Sequence, residues 1–143
     1  MERSKTLHYP AGTLASPGTP LTVTPESAGW AFSGLQVLAL APGESRAVAT
    51  GDSEYAVVPL AGGARVACEG QTFDLQGRLS VFTRVTDFAY IPRDSSFVIT
   101  SEKGGEFALP SARARKRLAP AYGPAEKVPV EIRGAGSATR QVT

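Results

Sequence analysis

A chain of 143 residues, 42% hydrophobic and 20% charged, has the size and composition of one soluble globular domain with a core of its own. Its 15 basic and 13 acidic residues leave a net charge of +2, which excludes a general electrostatic case for nucleic acid or an anionic membrane. No apolar stretch follows the opening charges and no run approaches the length of a membrane span, so neither a signal peptide nor a membrane segment is expected. The single cysteine, Cys68, sits in the apolar alternation ARVACEG, which fits a buried thiol in a reducing, cytoplasmic compartment.

In chain order, residues 1–20 form an arm rich in Pro, Gly and Ser, YPAGTLASPGTP, with little local structure expected. From there the 15 glycines and 11 prolines leave few windows long enough for a helix, and the intervals read with a period of two. GLQVLAL sets Leu35, Val37 and Ala39 on one side and Leu38 and Leu40 on the other, a strand apolar on both faces. Pro42 to Glu44 is a turn, and SRAVATGDSEYAVVPLAGG gives two strands around Gly51-Asp52-Ser53. GGARVACEGQTFDLQG is a hairpin, with Val66 and Cys68 before Glu69-Gly70 and Phe73 and Leu75 after it. RLSVF, DFAYIP, SSFVITS and GEFALP continue the series. KVPVEIRG alternates with Val128, Val130 and Ile132 inward, and Pro129 makes it an edge strand or a bulge. RQV at the C-terminal end reads as a further strand. Short strands at regular spacing predict an all-β sandwich or jelly-roll barrel with little or no helix. Trp30, Leu38, Val57, Phe73, Phe82, Tyr90 and Phe97 are the expected buried side chains.

Residues that could carry chemistry are few. Arg113, Arg115, Lys116 and Arg117 form a basic run, but no aromatic stacking platform accompanies it; a solvated loop, or a contact within the molecule or between subunits, is favoured over nucleic acid. His8 is the only histidine and lies in the arm, so a nitrogen or sulfur metal site and a His-based nucleophile are both disfavoured. Glu54, Asp74 and Asp87 lie near strands, but spacing alone pairs none of them for acid–base work. No catalytic and no metal-ligating residue is assigned.

Two segments carry a resemblance to cupins. PGESRAVATGDSEYAVVPLAGG is similar to the first cupin motif, with Gly43 early, Glu54 at the glutamate place and Gly62 at the closing glycine. Val48 and Thr50 stand where that motif has histidines. DFAYIPRDSSFVIT resembles the second motif, with Pro92 and Asp94 at its turn and Phe97 in place of its histidine. The resemblance implies a cupin barrel over residues 21–133 that holds no metal, with Glu54 alone left of the usual four ligands.

Longer segments, among them ESAGWAFSGLQVLALAPGE, TDFAYIPRD and GEFALPSARARKRLAPAYGPAEKVPVEIRGAG, resemble the N-terminal half of the bacterial 5-deoxy-glucuronate isomerase family of inositol catabolism. That family is similar to the uronate ketol-isomerases of pectin breakdown, and its members are two-cupin proteins. The resemblance implies an aldose–ketose exchange between 5-deoxy-glucuronate and 5-dehydro-2-deoxy-gluconate through an enediol, with a base and a divalent metal supplied by a second cupin domain. Residues 134–143 would then start the linker to that domain, and this chain alone would be inactive. The partners so implied are the C-terminal cupin domain, further copies of the chain in a homo-oligomer, and a small sugar acid. Arg46, Arg93 and Arg140 are weak candidates for a substrate-carboxylate contact, and Glu54 for a polar group in the lumen; a salt bridge is favoured for each arginine. A free-standing metal-free cupin that binds a sugar acid and a structural oligomerisation domain are the alternatives.

Overall fold

The computed structural model describes residues 8–143 and contains eleven strands. These are β1 (Leu21–Val23), β2 (Ser33–Leu40), β3 (Glu44–Ala49), β4 (Ser53–Cys68), β5 (Gln71–Arg78), β6 (Phe88–Ile91), β7 (Ser96–Ser101), β8 (Gly105–Arg113), β9 (Ala121–Gly123), β10 (Glu131–Arg133) and β11 (Arg140–Val142). One helix of four residues, α1 (Pro25–Ala28), is closed by Thr24 and Ser27 in a reciprocal cap and ended by Gly29. All pairings are antiparallel, and the all-β expectation holds.

Strand β4 builds both layers. Its first half lies between β8 and β6, in the order β1-β2-β8-β4-β6-β9, and its second half lies between β5 and β7, with β3 beyond β7. The ladder slips between Pro59 and Ala61 on one side and between Gly62 and Ala64 on the other, so the strand turns from one layer into the other. Pro59, which has no N–H to give, sits at the slip where a donor is dispensable. The two layers close on Leu38, Leu40, Val57, Val66, Leu75, Ile91, Phe97, Ile99, Phe107 and Leu109, all buried. Removing this much apolar surface from water is the main term holding the sandwich together, at roughly 1.5–3 kcal/mol per large side chain. Cys68 is buried as a free thiol.

Several expectations need correction. RLSVF is not a strand: β5 ends at Arg78, and Ser80 accepts hydrogen bonds from the N–H and hydroxyl of Thr83, so the backbone turns locally instead of pairing. Phe82 is therefore 95% exposed rather than buried. Trp30, beyond the end of α1, is 52% exposed, while Phe73 and Tyr90 are only half-buried. KVPVEIRG opens with a short 3₁₀ turn at Ala125–Lys127 and becomes strand only at Glu131–Arg133. That strand pairs with β11 alone, in a two-stranded ribbon with no second layer behind it, and Ile132 is 68% exposed. Alternation buries a face only where another layer covers it. The arm is more ordered than expected over its described part: Ser16 and Thr19 exchange backbone hydrogen bonds, and Gly18 accepts from Ala39 of β2. No helix among the described residues is long and apolar enough to cross a membrane.

Candidate functional site

One end of the barrel is built by turns that hold each other. Thr50 donates its N–H and its hydroxyl to the carbonyl of Ser95, each at 2.9 Å, and its hydroxyl accepts the Ser95 N–H at 2.9 Å. The Asp94 N–H donates to Gly51 at 2.7 Å, and the Ala114 N–H to Asp52 at 3.1 Å. Asp94 has φ 53°, a left-handed conformation that Asp tolerates better than most residues, so the Pro92–Asp94 segment is a turn as expected.

The positions of the resemblance can now be compared in space. Val48 is paired with Phe97 across β3 and β7, both side chains face the core, and Thr50 is buried beside them. Glu54 does not join them. Tyr55 and Val57 occupy the inward positions of β4, so a period of two turns Glu54 to the other face, where its carboxylate accepts the Tyr90 hydroxyl at 2.7 Å. Burial, and then that bond to Glu54, push the Tyr90 hydroxyl up to about 12. Glu54 is thus a bracing group between β4 and β6 and not a lumen residue. The four positions do not fit a divalent transition metal: Val48 and Phe97 have no donor atom, the Thr50 hydroxyl is committed to Ser95, and Glu54 points away. Elemental analysis of tag-free protein is expected to find no stoichiometric zinc, iron or manganese in this barrel. A full equivalent of any of them would overturn that reading.

The arginine candidates are dispersed. Arg46, on the edge strand β3, reaches Glu44 at 3.0 Å and the buried Thr19 at 3.2 Å, and so closes the seam between β3 and the arm. Arg93 bridges Asp94 at 2.8 Å and the carbonyl of Ala114, tying two of the end turns together. Arg140 lies in the β10–β11 ribbon and donates to Ala138 at 3.2 Å. No two of these with Glu54 face a common point. In the basic run, Arg113 pairs with Glu26 and with Asp52, the latter at 3.3 Å, and Arg117 pairs with Glu69. Contacts within the molecule thus account for half of that run.

Asp74 pairs with Arg65 on the surface at 2.8 Å. Asp87 is different, and strand spacing did not single it out. It is 2% exposed, and its carboxylate accepts the N–H of Gln76 at 2.8 Å, the N–H of Gly77 at 2.9 Å and the Tyr122 hydroxyl at 2.6 Å. All its acceptor capacity goes to joining β5, β6 and β9, which makes it an anchor for the fold.

A family model, described as the KduI/IolB family, matches residues 8–143. The chain belongs to the KduI/IolB family. A 5-deoxy-glucuronate isomerase of Geobacillus kaustophilus is 32% identical over 127 residues, covering 87% of this chain and 46% of the relative. Among solved structures, an IolB-like protein from Salmonella typhimurium superposes with a TM-score of 0.85 at 29% identity, over 92% of this chain and 50% of that one. A cupin protein from Bacteroides fragilis, at 16% identity and a TM-score of 0.51, shares the fold over 65% of this chain and 76% of its own. Within the family, this chain spans about half the length of the curated relatives it matches.

Proposed function

We propose that this chain is the N-terminal barrel of an aldose–ketose isomerase that converts 5-deoxy-glucuronate to 5-dehydro-2-deoxy-gluconate in inositol catabolism. The observation that carries the reading is the 32% identity over 127 residues to a relative named 5-deoxy-glucuronate isomerase. Moving a proton between adjacent carbons requires a base within hydrogen-bond reach of the carbon acid and a group that stabilises the oxyanion. In this barrel two of the candidate carboxylates are already committed to structural bonds: Glu54 to Tyr90, and Asp87 to two N–H groups and Tyr122. Among the described residues no three His, Cys, Asp or Glu side chains gather to hold a metal ion. The reading therefore assigns base and electrophile to a C-terminal cupin domain that binds a divalent metal, and it makes this barrel a packing and assembly partner in a cytoplasmic homo-oligomer.

The test sets this chain beside a full-length family member, such as the Geobacillus kaustophilus protein, with 5-deoxy-glucuronate and added divalent metal. Turnover by the full-length protein and none by this chain is the expected result. A rate from this chain comparable to that of the full-length protein would place the chemistry in the first barrel after all. Inactivity of both would remove the proposed substrate.

A further inference from the structure

The barrel end bounded by β1, β2, β4 and β8 opens into a cleft of about 220 Å³ that the isomerase reading does not use. Thr22, Gln36, Tyr55 and Ser111 line it. The registers place them on one wall: Thr22 lies opposite Gln36 across β1 and β2, and Tyr55 lies opposite Ser111 across β4 and β8. Gln36 occupies the face of β2 that also carries the buried Leu38 and Leu40, where an apolar residue would be the default. Among the described residues, none of these four side chains is hydrogen-bonded to another part of the chain, and no polar side-chain atom is buried without a partner. Their polar atoms therefore open into the cleft. The Tyr55 ring packs against Phe97 of the core, with centroids 6.3 Å apart, which fixes its place in the wall. Gly34 keeps the wall open: a Cβ there would lie 2.7 Å from the Ser111 hydroxyl and 3.1 Å from the carbonyl of Val23.

We propose that this cleft binds one uncharged polyhydroxylated molecule of monosaccharide size. Three hydroxyls and one primary amide each donate and accept, which matches ligand hydroxyls that also do both. The tyrosine ring, only partly buried and lining the cleft, suits the C–H face of a sugar ring. At about 220 Å³ the space lies below the range usual for drug-sized ligands, which is roughly 300–1,000 Å³, so it has room for a single ring. Charge at the rim decides against a sugar acid. Arg113 is held by Glu26 and Asp52, one cation against two carboxylates, so an incoming carboxylate meets a net negative edge. The site would stand whether or not the chain serves the proposed isomerase, because none of its residues is assigned a part in that chemistry.

The experiment follows backbone amide shifts of the labelled chain during titration with neutral probes (D-glucose, D-galactose, D-xylose and sorbitol) and charged ones (D-glucuronate and D-glucosamine) at millimolar concentration. At least one neutral probe is expected to shift the amides of Gln36, Tyr55 and Ser111 saturably, and D-glucuronate to bind about tenfold more weakly. Gln36→Leu should weaken the neutral probe about tenfold by removing its hydrogen bonds, while leaving the rest of the spectrum in place. No saturable shift with any neutral probe would overturn the proposal. So would D-glucuronate or D-glucosamine binding as tightly as the best neutral probe, shifts confined to other parts of the barrel, or a Gln36→Leu variant with unchanged affinity.

Discussion

Replacing Asp87 with alanine is expected to lower the stability of the barrel by about 3 kcal/mol or more, since hydrogen bonds to a charged acceptor contribute roughly 1.5–3 kcal/mol each. The carboxylate is buried and takes two backbone N–H groups of β5 and the hydroxyl of Tyr122 from β9, with Thr86 nearby at 3.4 Å. Alanine would leave those donors facing a void that β6 and β9 cannot close without losing their own ladder. Tyr122→Phe removes one of these bonds and leaves the carboxylate in place, so its expected cost is smaller, about 1.5–2 kcal/mol.

The same group sets a pH dependence. Burial works to raise the Asp87 pKa, but the hydrogen bonds from Tyr122, Gly77 and Gln76 outweigh it and hold the carboxyl below its ordinary value. A folded-state pKa below the unfolded one stabilises the fold above the unfolded value, near ~3.9, and that contribution is lost as pH falls through the folded value. Urea unfolding of the wild type and of Asp87→Asn, near neutrality and again below pH ~3.9, should show the gap between them shrinking on acidification. A gap that is constant with pH, together with an alanine variant within about 1 kcal/mol of wild type, would refute the role of Asp87 as an anchor.

Much of this architecture was legible because alternation, turns and burial agreed with one another. The Glu69-Gly70 hairpin is an instance: both residues have positive φ, 51° and 75°, and Cys68 pairs with Gln71 across a two-residue loop. Val57, Leu38 and Phe97 were also placed correctly in the core. Aromatic and aliphatic residues misled wherever the covering layer was absent. Phe82 and Leu79 belong to a turn, and Val130 and Ile132 to the β10–β11 region, so their pattern had nothing to pack against. The lumen positions illustrate a different limit. Motif spacing brings Val48 and Phe97 together, because they are paired across β3 and β7, and Thr50 follows just beyond β3, bonded to Ser95 before β7. It does not reveal that Glu54 faces outward, because a shift of one residue in a strand reverses the face. Gln36 could have been found: it is the one polar residue among the inward positions of GLQVLAL. Asp87 could not, since what defines it is the convergence of β5, β6 and β9, three segments distant in sequence.

Gly77→Ala is expected to prevent folding at ordinary temperature, and its comparison with Gly70→Ala shows why. Both glycines have positive φ, 65° at Gly77 and 75° at Gly70, so each substitution costs roughly 1–2 kcal/mol in backbone strain. At Gly70, on the tip of the hairpin, a Cβ meets nothing within 4 Å. At Gly77 it would fall 1.8 Å from the carbonyl oxygen of Gly62 and 3.1 Å from the Cα of Gly63. Those atoms belong to the bend where β4 passes between layers, and a main-chain clash there has no rotamer that relieves it. The Gly77 N–H also donates to Asp87, so moving the backbone aside breaks the anchor along with the bend. The two costs fall on one junction and add to more than the few kcal/mol by which a domain of this size is stable. Thermal unfolding followed by circular dichroism should give a Gly70→Ala variant with a modestly lower midpoint and a Gly77→Ala variant with no cooperative transition. Equal midpoints for the two would mean that the β4 bend can yield, and the close approach of these strands would then not be what sets the corner of the barrel.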